Sequence, residues 1–220
     1  MLGVLGGMGP AATVEFASRL VSSTPATCDQ EHVPTIIWND PRVPDRSSAM
    51  LAGTNEPLPW LIQGIRGLQQ AGCDHIVIPC NTAHFWYDEL VKLGTPITHI
   101  VDAVAAQLHK LEVTGKIVVL GTQATMRQGL YQNRLTDWHC VSASNADQVQ
   151  QAIDLIKAGY VEKAYKLIAP VIQTAVQEKA QAVVLGCTEL PLAVTQQWWG
   201  ETPVVNSIDA LVNAVIQFDK

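Results

Sequence analysis

Apolar and polar positions alternate along this chain in two rhythms. Short, almost uninterrupted β-branched runs recur at LGVLG (2–6), TIIWND (35–40), HIVIPC (75–80), ITHI (97–100), KIVVLG (116–121), WHCVSA (138–143), AVVLGC (182–187) and PVVNS (203–207). Runs without alternation, bounded by turn residues, predict strands buried on both faces, so eight strands are expected. Between them the apolar residues return every three or four positions. That spacing predicts helices over 11–22, 58–70, 84–93, 102–111, 148–158, 161–179 and 208–218.

The order of elements then repeats. HIVIPCNT at 75–82 is similar to AVVLGCTE at 182–189, and TPITHIVDAV at 95–104 to TPVVNSIDAL at 202–211. The same residue offset relates Cys80 to Cys187 and Thr95 to Thr202, which is the mark of duplicated halves. VLGG at the start answers VLGTQAT at 119–125 more loosely. The expected fold is therefore α/β: two pseudo-symmetric α/β domains, each with a mainly parallel four-stranded sheet flanked by helices, and the functional site in the cleft between them. The helix beginning at Asp102 crosses between the halves and the last helix crosses back. The domains are thus expected at 1–101 plus 207–220 and at 102–206.

Composition narrows the function. The 220 residues are 48% hydrophobic and only 15% charged, with a formal net charge of -6, and no basic cluster suits a nucleic acid. No apolar run approaches the ~20 residues of a membrane-spanning helix. The N-terminus lacks the basic flank of a signal peptide. Five cysteines without C-x-x-C spacing do not suggest a disulfide framework or a zinc site, and a cytoplasmic setting is expected.

Cys28, Cys73 and Cys140 have no counterpart in the repeat and read as small hydrophobes. Cys80 and Cys187 are matched, and each falls where a buried strand gives way to a turn, the ligand-binding edge of an open α/β sheet. A Cys80–Cys187 disulfide is one reading, although it needs an oxidising compartment. The other is a pair of reactive thiols on opposite sides of one ligand, with Asn81, Thr82 and Thr188 as hydrogen-bonding neighbours. Opposed thiols suit racemisation, in which one base removes a proton and an acid on the other face returns it.

Together these stretches resemble the aspartate/glutamate racemase family, the cofactor-independent racemases with two cysteines. The resemblance rests on LGGMGP (5–10), NDPRVPDRSS (39–48), IPCNTAHFW (78–86), IKAG (156–159) and LGCTEL (185–190), and GGMGP points to the aspartate racemase branch. It implies that Cys80 and Cys187 are the acid/base pair, that no cofactor is used, and that Arg46 and Lys157 reach the side-chain carboxylate of a small amino-acid substrate. It also implies a homodimer, for which Trp60, Phe85 and Trp86 are candidate interface residues that core packing would explain equally well. Hydantoin racemases, maleate isomerases and arylmalonate decarboxylases share the wider fold. The two cations favour an acidic amino acid and do not separate aspartate from glutamate.

Residues 7–12, GMGPAA, spell G-x-G-x-x-A, which by itself suggests a dinucleotide loop with Asp40 as the ribose-binding acid. A two-lobed solute-binding protein is a further reading of paired α/β halves. The repeat favours a smaller anion. The loop's N–H groups and those of the Asn81–Thr82 and Thr188 turns are expected to hold a substrate carboxylate, with Met8 as an apolar wall and Thr122 as the hydroxyl on the opposite side. Secondary candidates are His84, as a hydrogen-bonded histidine or half of a metal pair with Cys80, Asp102 and Asp209 as helix caps, and Glu189 as a neighbour tuning Cys187.

Overall fold

A computed structural model describes residues 1–218; residues 219–220, assigned above to the first half, lie outside the described residues. All eight expected strands form, in two sheets. The first holds β1 (Leu2–Gly6), β2 (Thr35–Asn39), β3 (His75–Val77) and β4 (Ile97–Thr98) in the order β2-β1-β3-β4, all parallel. The second contains β5 (Lys116–Leu120), β6 (His139–Ser142), β7 (Ala182–Leu185) and β9 (Thr202–Asn206) in the equivalent parallel order β6-β5-β7-β9. Strands at the middle of each sheet, such as β1 and β7, are buried along their whole length, whereas the edge strands β2 and β6 are partly exposed. Helices cover both faces of a parallel sheet, which is why the central strands can be wholly apolar.

A ninth strand, β8 (Trp198–Trp199), was not expected and makes the second sheet five-stranded. It pairs antiparallel with the start of β9, Trp198 opposite Pro203 and Trp199 opposite Thr202. Two residues carry no periodicity, so only the turn at Gly200, with φ +60°, marks it in the sequence.

The long helices lie close to their expected positions: α1 (Pro10–Ser23), α3 (Leu58–Gln70), α5 (Ile100–Lys110), α7 (Ala146–Lys157), α8 (Val161–Gln177) and α9 (Ser207–Phe218). Two short ones were missed, α2 (Arg46–Ala52) and α6 (Gln123–Arg127). The helix expected over 84–93 is broken into a 3-10 turn (Thr82–Trp86), a single α turn α4 (Tyr87–Leu90) and another 3-10 turn (Val91–Leu93). The cause is His84. Its amide donates to the Asn81 carbonyl three residues back, while its ring takes the Cys80 carbonyl that an α-helix would have bonded to that amide.

Helix α5 leads from β4 into β5 and so connects the two sheets. It packs on α9, which also packs on α1, and apolar residues of these helices share one core with β1, β5, β7 and β9. Arg19 of α1 pairs with Asp209 of α9 at 2.5 Å. The two halves thus meet over a continuous apolar seam, and the strand ends face one another above it. Among the described residues, no helix is long and apolar enough to cross a membrane.

Candidate active site

Cys80 lies just beyond β3, and Cys187 just beyond β7. Each follows a sharp turn: the Cys80 amide donates to the Ile78 carbonyl at 2.7 Å, and the Gly186 amide to the Val184 carbonyl at 3.1 Å. Gly186 is required by close packing. A Cβ there would sit 2.7 Å from Cγ1 of Val119 and 3.0 Å from the Tyr131 ring. Each cysteine is only 5% exposed, and both line one small cavity.

The same cavity, nearly closed at about 10 Å³, is lined by Met8, Arg46, Asn81, Thr82, Thr122, Lys157 and Thr188. The structure therefore brings together in one place both cysteines and the seven substrate-binding candidates, together with Glu189, whereas His84, Asp102 and Asp209 lie outside the lining. Asp45 and Ser47 complete the lining. That volume is far below the roughly 300–1,000 Å³ usual for ligand pockets, so the site is nearly closed and has no room for a dinucleotide.

Arg46 and Asp45 come from the start of α2, whose N-cap is the Asp45 carboxylate accepting from the Ser48 amide at 2.7 Å. Arg46 Nη1 donates to the carbonyls of Val43 and Pro44, at 3.0 and 3.1 Å. Its Nε is buried without a hydrogen-bond partner, a state that a ligand carboxylate would relieve. Lys157 ends α7 on the other side. Burial alone would lower its pKa, but the charges of Glu189, Cys187 and Asp45 outweigh burial and raise it, so Lys157 is a firm cation.

The two thiols are not equivalent. Cys187 Sγ donates to Glu189 Oε2 at 3.0 Å, and Glu189 Oε1 accepts from the Gly9 amide of the opposite half at 3.1 Å. Burial first, then the Glu189 charge and this hydrogen bond, push the Cys187 thiol far above the ordinary thiol range. Burial also raises Cys80; there Arg46 opposes the rise, the Glu189 charge adds to it, and the Ala83 amide and Lys157 oppose it more weakly. The hydrogen bond to Glu189 thus favours the protonated form of Cys187, whereas the Arg46 charge favours the thiolate of Cys80.

His84 is neither a surface residue nor a metal ligand. It is 3% exposed, and both ring nitrogens are engaged: Nε2 accepts from the Ile100 amide at 3.2 Å, so Nδ1 carries the hydrogen that reaches the Cys80 carbonyl at 2.9 Å. Beside it, His99 caps α5 by accepting the Val101 amide at Nδ1. Burial lowers His84 to about 4; for His99, burial and the neighbouring His84 and Arg134 lower it to about 2. Both are neutral when folded and titrate near 6.5 when unfolded, so the unfolded chain binds more protons below that value. Stability is expected to decline as pH falls below about 6.5, down to about 4 for His84 and about 2 for His99. In denaturant titrations across this range, His84→Gln should flatten the decline, and an unchanged pH slope would contradict this assignment.

The opening loop departs from expectation in one respect. The Gly7 amide donates to Thr13 Oγ1 at 2.9 Å and the Gly9 amide to Glu189, so these N–H groups are engaged within the protein, and the loop contributes the Met8 side chain to the cavity. Gly7 has φ +91°, and a Cβ there would lie 2.3 Å from the Asp40 carbonyl oxygen. Asp40 is bound by Arg42 through its amide, Nε and Nη2 at 2.8–3.0 Å, which leaves no ribose-binding acid. Asp102 and Asp209 do not cap their helices either. The caps are their neighbours three residues earlier, His99 and Asn206, whose Oδ1 accepts from the Ile208 amide; Asp102 pairs with Arg134, and Asp209 with Arg19. Of the aromatics considered for an interface, Trp86 is buried and donates to Asn55, while Trp60 and Phe85 pack against the core.

Comparison with known proteins bears on the family and the fold. The profile of the family described as Asp/Glu/Hydantoin racemase matches residues 5–215. The broad specificity amino-acid racemase RacX of Bacillus subtilis is 26% identical over 228 residues, covering 98% of this chain and 96% of that protein. Glutamate racemase of Aquifex pyrophilus is 29% identical over 164 residues, covering 70% of this chain and 61% of its own length. Among solved structures, Picrophilus torridus aspartate racemase superposes with a TM-score of 0.89 at 34% identity, covering 99% of this chain and 93% of that one.

Proposed function

The chain belongs to the Asp/Glu/hydantoin racemase family, and from that premise we propose that it interconverts L- and D-aspartate by proton transfer between Cys80 and Cys187. The observation that carries this reading is that the two cysteines occupy equivalent strand ends of the repeated halves and line one small, buried cavity. The paired cations select a second carboxylate on the substrate, as aspartate carries. The aspartate racemase named above supports the same choice.

One thiolate takes the Cα proton. The C–H electron pair passes into the α-carboxylate, giving an enediolate-like carbanion, and the opposite thiol delivers its proton to the other face of Cα. The first cysteine ends protonated and the second as thiolate, so the reverse reaction or exchange with solvent resets the pair. Asn81, Thr82, Thr122 and Thr188 supply polar groups around the carboxylate whose charge grows, where preorganised donors act most strongly. Arg46 and Lys157 hold the side-chain carboxylate, and Met8 closes the apolar side. In the resting enzyme Cys187 carries the proton shared with Glu189, and the Arg46 charge favours Cys80 as the base. We also propose a homodimeric assembly in the cytoplasm, and a division into residues 1–101 plus 207–220 and 102–206, in which α9 packs on α1 of the first part and on α5.

Chiral chromatography of a panel of single-enantiomer amino acids tests the substrate. Aspartate should racemise fastest, with glutamate slower and alanine slowest. Faster turnover of a neutral amino acid than of aspartate would contradict the assignment of the cations.

A further inference from the structure

Tyr131 belongs neither to the cavity lining nor to a regular element, yet it is fully buried. Its hydroxyl lies 2.6 Å from Asn81 Oδ1, and Asn81 Nδ2 lies 3.2 Å from Oγ of Ser207, the first residue of α9. The amide stands with its oxygen toward Tyr131 and its nitrogen toward Ser207, and the lengths accord with that orientation. O–H···O bonds run about 2.5–3.0 Å and N–H···O bonds about 2.7–3.2 Å, which matches a shorter contact to the amide oxygen and a longer one to its nitrogen. The oxygen is thus occupied by Tyr131, and one Nδ2 hydrogen by Ser207. The second Nδ2 hydrogen has no protein partner among the described residues, and Asn81 lines the cavity beside Cys80.

We infer that Tyr131 is a positioning residue that locks the Asn81 amide with its N–H side toward the ligand, so that a substrate carboxylate meets a donor and never the amide oxygen. This rests on the racemase reading above. The tyrosine is well placed for the task because it touches both reactive loops: its hydroxyl holds the residue after Cys80, and its ring packs against Gly186, the residue before Cys187. A turn of the second half thereby sets a donor in the first. Without the hydroxyl, the buried amide oxygen would lose its donor, and rotation of the amide would turn that oxygen toward the carboxylate.

A double-mutant cycle on aspartate racemisation separates this role from simple packing. Asn81→Ala should reduce kcat about 100-fold, as loss of one preorganised donor does. Tyr131→Phe, which keeps the ring against Gly186, should reduce kcat roughly tenfold, with a smaller change in KM because the carboxylate charge grows toward the transition state. The double variant should be no slower than Asn81→Ala alone. Losses that multiply, or a Tyr131→Phe enzyme with a lowered melting temperature but unchanged kcat, would overturn the inference. If Tyr131→Phe does not fold, Ser207→Ala takes its place in the cycle under the same two criteria. A wild-type protein that racemises no amino acid would overturn the racemase reading and this role with it, whereas an active wild type with multiplying losses removes only the role of Tyr131.

Discussion

Cys80→Ser and Cys187→Ser should each abolish racemisation of aspartate, with losses of at least ~100-fold, the lower bound for removal of a positioned acid or base. A serine hydroxyl fills nearly the same space, so the fold and the cavity persist. What is lost is acidity, because a hydroxyl cannot exchange a proton with Cα near neutral pH as a thiol can. The two variants should differ in a second respect. Cys187 bonds to Glu189, which also holds the Gly9 amide of the other half, so serine at 187 keeps a donor to that carboxylate. Cys80 lies beside Arg46, whose charge favours its thiolate. Alkylation by iodoacetamide should therefore reach Cys80 at lower pH than Cys187, as read by mass spectrometry of the modified peptides. Equal onset for both would contradict the asymmetry. Full racemisation by either serine variant would contradict the two-thiol mechanism itself.

Arg46→Ala should reduce kcat/KM for aspartate by about 10- to 150-fold, the equivalent of roughly 1.5–3 kcal/mol for a hydrogen bond to a charged group. Any weak activity on alanine should change little. The reason lies in the unpartnered Nε: the guanidinium spends two contacts of Nη1 on the carbonyls of Val43 and Pro44, which hold it in place, and keeps Nε for a ligand. Lysine cannot reproduce this. Its single ammonium lacks the planar fork, so Arg46→Lys should recover only part of the loss. Equal losses on acidic and neutral amino acids would mean that Arg46 supports α2 and does not select the substrate.

The strands were legible because parallel sheets with covered faces force continuous apolar runs, and the repeat showed which strand ends meet. The same offset that pairs Cys80 with Cys187 pairs Thr82 with Glu189 and His99 with Asn206. Glu189 could thus have been ranked higher from sequence, as a carboxylate standing where the other half has a hydroxyl beside a reactive cysteine. Other features left no such trace. The bond from Gly9 to Glu189 joins residues 180 positions apart and depends on how the halves dock. Tyr131 sits in a turn with no periodicity, and its meaning appears only when its hydroxyl is found on Asn81. Strand β8 and helices α2 and α6 are too short to develop a pattern, and His84 breaks its helix through a side-chain bond that periodicity does not register.

Incubation of L-aspartate with the enzyme in D2O, followed by chiral separation of the enantiomers and mass spectrometry of the Cα deuterium in each, tests the two-thiol mechanism most directly. Early in the reaction, the D-aspartate formed should carry deuterium at Cα while the remaining L-aspartate keeps its protium, because the proton is removed by one cysteine and the deuteron delivered by the other. Deuterium appearing equally in both enantiomers from the start would indicate a single base on one face, and no exchange at Cα of aspartate would contradict the proposed activity.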